Sequence, residues 1–230
     1  MTKTELLNYL KNYAANPSVL ELDELVPDTR ALLPETWLQL LEMKQQARVE
    51  AVIDLWQPFY FQFQQVIAYF KKHLESIDLI DSSRGLSLLY GVRAQSGEML
   101  YYEGRLPVAE NPNHAIDALW SKTTSELQKF YRELHNGWYY FASESMGLSS
   151  LQRIFVLSRE EWGILDELPE VPVDLSRSLA IFSNGMGGYV CQELSDRNRK
   201  TFLWFHDRPP KLNLEFWPLI DSWTLIGFEG

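Results

Sequence analysis

The hydrophobic period of this chain changes near Asp81-Ser82-Ser83-Arg84-Gly85. Before that point apolar residues recur at helical spacing. After it, most fall in short runs bounded by turn residues, the mark of strands. Regular strand–helix–strand alternation is missing, which argues against a doubly wound sheet. The pattern predicts an α+β fold, a mostly antiparallel sheet flanked by helices, with a helical extension over residues 1–80 and an α+β domain over 81–230.

In the first part, Leu6, Leu7, Leu10 and Tyr13 give one apolar helix face, closed by Asn16-Pro17. Residues 19–34 are acidic and read as irregular. Pro34 opens the next helix, with Trp37, Leu38 and Leu41 facing inward. Residues 49–74 are helical again, divided at Pro58. Trp56, Phe59, Phe63, Val66, Ile67 and Phe70 form a packing face there.

In the second part, residues 86–93 and 98–103 read as strands joined by Gln95-Ser96-Gly97. A helix over 114–134 stops at Asn136-Gly137. Residues 153–157 are a short strand, and Ser158 with Glu161 has the spacing of a capping box, which predicts a short helix. Strands follow over 178–183, 188–194 and 201–206, separated by Asn184-Gly185-Met186-Gly187 and Ser195-Asp196-Arg197-Asn198. A last helix covers 216–225.

Patterns that carry chemistry are weak. A phosphate-cradling loop runs from a strand into a helix, but Gly187-Gly188 leads into Tyr189-Val190-Cys191, a strand. A hairpin with positive φ at Gly187 or Gly188 fits better. His73, His114, His135 and His206 are scattered, with no zinc-like spacing. Cys191 could be a nucleophile only if His206 approached it from a neighbouring strand, and a lone cysteine in an apolar strand is more often core filling. We therefore expect no catalytic residues, no metal and no cofactor.

Net charge is −10, which argues against nucleic acid and admits a basic partner. No apolar run approaches the roughly 18 residues of a membrane span. The start of the chain lacks the features of a signal peptide, and the one cysteine has no partner. These observations predict a cytoplasmic protein without membrane association. The acid is concentrated between residues 160 and 174, where Glu160, Glu161, Asp166, Glu167, Glu170 and Asp174 stand with no Lys or Arg among them. Trp162, Ile164 and Leu165 interleave with these acids. An acidic rim around an exposed Trp162 anchor is the form of a binding surface for a basic protein. The plainer alternative is a solvated segment with its apolar side buried.

The order of features over residues 115–230 resembles the SUKH superfamily. Residues 127–137, an aromatic helix end followed by Asn136-Gly137, resemble the family's early motif. Residues 147–157 resemble its loop and strand. Residues 182–194 resemble its glycine-turn hairpin, and residues 201–207, ending in His206-Asp207, its last aromatic strand. Residues 1–80 have no counterpart in a minimal member, the hairpin at 86–103 comes before the Asn-Gly motif, and Met186 displaces a glycine. The resemblance implies a non-enzymatic module. Many bacterial relatives look like immunity proteins against secreted toxins, often nucleases, and fungal relatives are regulatory scaffolds. The expected function is an immunity protein that binds and neutralises a cognate, basic protein toxin. The alternatives are a regulatory interaction module without a toxin and an enzyme using Cys191 or a carboxylate pair.

Overall fold

The computed structural model describes residues 2–195 and 198–229. α1 (Lys3–Leu10) starts at Thr2, whose side chain accepts the Glu5 N–H while the Glu5 carboxylate accepts the Thr2 N–H. Leu6 and Leu10 turn inward, but Tyr13 lies beyond the helix end and is exposed. The stretch expected to be irregular contains β1 (Ser18–Leu20) and α2 (Pro27–Leu32). α3 (Glu35–Glu42) follows Pro34 at its N-cap and buries Trp37, Leu40 and Leu41. α4 (Gln45–Trp56) and α5 (Gln64–His73) are separated by a tight turn over Gln57–Phe59. Pro58 divides them because it has no N–H to continue the helical ladder. Its neighbours Trp56, Phe59, Phe63, Val66, Ile67 and Phe70 are all buried in the main core, as the spacing predicts.

The sheet continues with β2 (Leu74–Asp81), β3 (Ser87–Arg93) and β4 (Met99–Arg105). The helix expected over 114–134 is broken into α6 (Asp117–Trp120), α7 (Ser125–Lys129) and a wide turn over Phe130–Leu134. Side chains between the pieces bond to the backbone instead. Thr123 Oγ1 donates to the Trp120 carbonyl at 2.7 Å, and Thr124 Oγ1 accepts the Leu127 N–H at 3.2 Å, restarting the helix. Then come β5 (Trp138–Tyr140), β6 (Ser145–Leu148), β7 (Phe155–Val156), β8 (Ser178–Ser183), β9 (Gly188–Leu194), β10 (Arg199–Phe205), β11 (Lys211–Leu214) and α8 (Phe216–Glu229). The β9–β10 turn lies in part outside the described residues.

Among the described residues the strands form one antiparallel sheet of eleven, in the order β1-β2-β3-β4-β5-β6-β8-β9-β10-β11, with β7 also on β8. The α+β architecture is therefore as expected. The expected division after residue 80 falls one residue before the end of β2, and β1 lies within the first eighty residues. Helices α3, α4 and α5 of that part share the main core with β3, β5, β8 and α8.

Strand alternation assigns each face. Ile77, Leu79, Leu88, Tyr90, Val92, Tyr102, Leu179, Val190 and Leu203 face α3, α4, α5 and α8 in the main core. On the other face, Ile80, Leu89 and Tyr101 pack under α1, and Ala180, Cys191, Phe202 and Trp204 pack under the segment after β7. A strand covered on both sides reads as a continuous apolar run, which is how Leu88-Leu89-Tyr90-Gly91-Val92 reads.

Two polar clusters pin the interior. Trp56 Nε1 donates to the Tyr90 hydroxyl at 3.2 Å, and that hydroxyl lies 2.7 Å from His135 Nε2. The imidazole lies flat against Gly104, where a Cβ would come within 2.6 Å of the ring, so only glycine fits. Glu103 is fully buried and takes the Ser87 hydroxyl at 2.8 Å and Arg84 Nη1 at 3.1 Å. Arg84 also donates to the carbonyls of Tyr13 and Phe141, joining the N-terminal part to the centre of the sheet.

Candidate partner-binding surface

The acidic segment forms a ledge over residues 157–177. It contains no α-helix, because Gly163, Pro169 and Pro172 interrupt any helical run. Three single 3₁₀ turns, at Leu157–Arg159, Gly163–Asp166 and Leu175–Arg177, carry it across the sheet. The helix expected from Ser158 and Glu161 is absent. Ser158 sits inside the first turn, and the backbone is already extended at Glu160 (φ −112°, ψ 153°).

The apolar residues of the ledge turn inward. Leu157, Trp162, Ile164 and Val173 are buried against Ala180, Cys191, Phe202 and Trp204. Trp162 is only 7% exposed. Its ring meets Trp204 edge-on at 5.7 Å and Tyr189 at 5.8 Å, and its Nε1 donates to the Leu157 carbonyl at 2.7 Å. The expectation of an exposed Trp162 anchor is therefore corrected. The strands below present a row of aromatic rings, and the indole N–H finds a carbonyl within its own ledge. Trp162 holds the ledge down.

The carboxylates take the opposite side. Glu160, Glu161, Asp166, Glu167 and Glu170 are exposed, and among the described residues none of the five joins an ion pair. Asp174 differs. It accepts from the Ser176 hydroxyl at 2.6 Å, the Ser176 N–H at 3.0 Å and Arg177 Nε at 2.8 Å. The Ser176 hydroxyl, with that N–H and the Arg177 guanidinium, holds its carboxyl below the ordinary range. Asp174 thus caps a turn and spends its charge on Arg177, leaving five uncompensated acids. The large apolar side chain most exposed on this ledge is Val171, between Glu170 and Pro172. It escapes a reading of the sequence because a lone valine beside proline has no period to mark its side.

Nucleophilic chemistry at Cys191 finds no support. Register places Cys191 between Ala180 of β8 and Phe202 of β10, and it is fully buried. Burial pushes its thiol well above the ordinary range. His206 lies four positions beyond Phe202, roughly 13 Å along the strand at about 3.3 Å per residue, and is exposed. The glycine loop is a hairpin turn with Gly185 and Gly187 both at φ 76°. Asn184 Oδ1 accepts the N–H groups of Met186 and Gly188, each at 2.8 Å, so those amides already have an acceptor. Among the described residues no three His, Cys, Asp or Glu side chains converge to hold a metal ion. No helix among them is long and apolar enough to cross a membrane. Compared with known proteins, the chain matches no family model, no curated protein and no solved structure.

Proposed function

We propose that the chain is a cytoplasmic immunity-type binding protein that neutralises a basic protein toxin by laying its acidic ledge over the toxin's cationic face. The observation that carries the reading is the set of five exposed, uncompensated carboxylates, Glu160, Glu161, Asp166, Glu167 and Glu170, on a ledge anchored by Trp162. A fixed array of one sign steers an oppositely charged partner and loses little entropy on docking. The chain's net charge of −10 extends the same field. The resemblance of residues 115–230 to SUKH proteins supplies the class of partner, a toxin.

The experiment is affinity capture from cells that make the protein. It compares the native chain with a variant carrying Glu160→Lys, Glu161→Lys, Asp166→Lys and Glu167→Lys. The proposal expects a basic protein captured by the native chain and lost by the variant. It also expects that the captured protein arrests cells when expressed alone and is silenced by co-expression of the native chain. Equal capture by both chains, or a captured protein whose toxicity is unaffected, overturns it.

A further inference from the structure

A cavity of about 320 Å³ lies between the loop after β4, α6 and the turn over Phe130–Leu134. The buried side chains of Trp120, Tyr131 and Leu151 line it, and the two rings meet edge-on at 4.9 Å. Glu110, Asp117 and Arg132, all exposed, bring charge to it. Asp117 is engaged already. Its Oδ1 accepts from Asn111 Nδ2 at 2.9 Å, and its Oδ2 lies 3.0 Å from His114 Nδ1. Glu110 and Arg132 differ. They border one cavity with opposite charges, yet among the described residues neither joins an ion pair.

The walls are tied to one another by hydrogen bonds. The Val108 N–H donates to the Tyr131 carbonyl at 3.1 Å, and the Tyr131 hydroxyl donates to the Ser149 carbonyl at 2.6 Å. Asn113 Nδ2 donates to the carbonyls of Leu151 and Ile154, each at 2.9 Å. Gln128 Nε2 donates to the Trp120 carbonyl at 3.2 Å, holding α7 to α6. Loop, helices and turn therefore form the cavity together, and a site formed in advance loses little entropy when a ligand enters.

We propose that this cavity binds a free α-amino acid with an apolar side chain. Arg132 takes its carboxylate, Glu110 its ammonium group, and Trp120, Tyr131 and Leu151 its side chain. Three observations select this class of ligand. The cavity offers one free charge of each sign, so a ligand with a single charge leaves the other unmatched, whereas a zwitterion meets both. The planar fork of Arg132 suits a carboxylate, which it can hold through two parallel hydrogen bonds. The lining is aromatic and aliphatic, and its volume is at the small end of the roughly 300–1,000 Å³ that ligand sites span, which fits one hydrocarbon side chain and not a nucleotide. The cavity shares no residue with the acidic ledge, so this site stands apart from the surface assigned to the toxin.

The test is isothermal titration calorimetry of the full chain with L-leucine and L-phenylalanine. Phenethylamine, which lacks the carboxylate, and 3-phenylpropionate, which lacks the ammonium group, are the controls. The native protein is compared with Arg132→Gln and Glu110→Gln, after urea unfolding has checked each fold. Both positions are exposed, so the folds should survive. At least one of the two amino acids should bind the native chain saturably, and each single-charge control should bind at least tenfold more weakly than phenylalanine. Each variant should weaken amino-acid binding at least tenfold. Arg132→Gln should also erase the preference for phenylalanine over phenethylamine, and Glu110→Gln the preference over 3-phenylpropionate. A native chain that binds neither amino acid at millimolar concentration overturns the proposal. Binding that both variants retain places the ligand elsewhere and overturns it too, as does a single-charge control that binds as tightly as phenylalanine.

Discussion

Acidification should weaken this protein through His135 well before its surface carboxylates protonate. The imidazole is fully buried, and burial lowers its pKa from the ordinary 6.5 to about 3. The Tyr90 hydroxyl accepts a hydrogen bond from the Trp56 indole N–H and donates its own to His135 Nε2, which suits the neutral ring. Between these two pKa values the unfolded chain binds a proton that the native chain refuses, so stability falls as pH falls below about 6.5. The slope approaches about 1.4 kcal/mol per pH unit, and from pH 6.5 to about 4.5 the loss is about 2–3 kcal/mol. That is a large share of the 5–15 kcal/mol, roughly, that a domain commands. Asp78 and Asp221, raised by burial, have the opposite sign and so cannot produce this loss. Urea unfolding at several pH values measures it, with His135→Gln as the control that removes the titration. Stability that is flat over this window in the native chain, or a slope that His135→Gln retains, would refute the reasoning.

Other perturbations probe separate links. Asp221 of α8 accepts the N–H groups of Gln65 and Val66 at 2.9 and 3.0 Å, capping α5 in place of Phe63. Asp221→Ala should cost about 1–2 kcal/mol in urea unfolding and Asp221→Asn less. Gly187→Val should cost about 2 kcal/mol from its left-handed backbone, whereas Gly163→Ala, with open space around it and no positive φ, should be near neutral. Equal stabilities would refute the strain. Trp162→Ala should lose about 3–5 kcal/mol, or unfold the ledge alone, and Trp162→Phe should lose less. Native-state hydrogen exchange over residues 157–177 distinguishes the two results for the alanine variant.

Elements with a strong period were legible in the sequence. The six-residue apolar set from Trp56 to Phe70 and the break at Pro58 needed only helical spacing and a missing N–H. The β8–β9 hairpin followed from its glycines, and Gly187 has the positive φ that the turn required. Strand β2 was missed because Leu74 follows α5 directly, with no breaker between them. Strands β1, β5, β6 and β11 have three or four residues each, too few to establish a period. At the ledge, the positions of the acids could be read from charge alone. The place of Trp162 could not, because the rings that bury it belong to β9 and β10, 27 and 42 residues further along (Tyr189 and Trp204). Asp174 looked like its acidic neighbours until Ser176 and Arg177 were seen to turn back onto it.

The most direct test of the acidic ledge is the kinetics of binding to the basic protein that the native chain captures. The triple reversal Glu160→Lys, Glu161→Lys and Asp166→Lys removes three of the five free carboxylates without touching the buried side of the ledge. Rim charges act mainly on encounter, so the association rate should fall about tenfold or more at low salt, with a smaller change in dissociation. The loss should shrink at about 0.15 M salt, where screening already weakens steering. Unchanged association and dissociation rates at both salt concentrations, with the fold intact, would contradict the account.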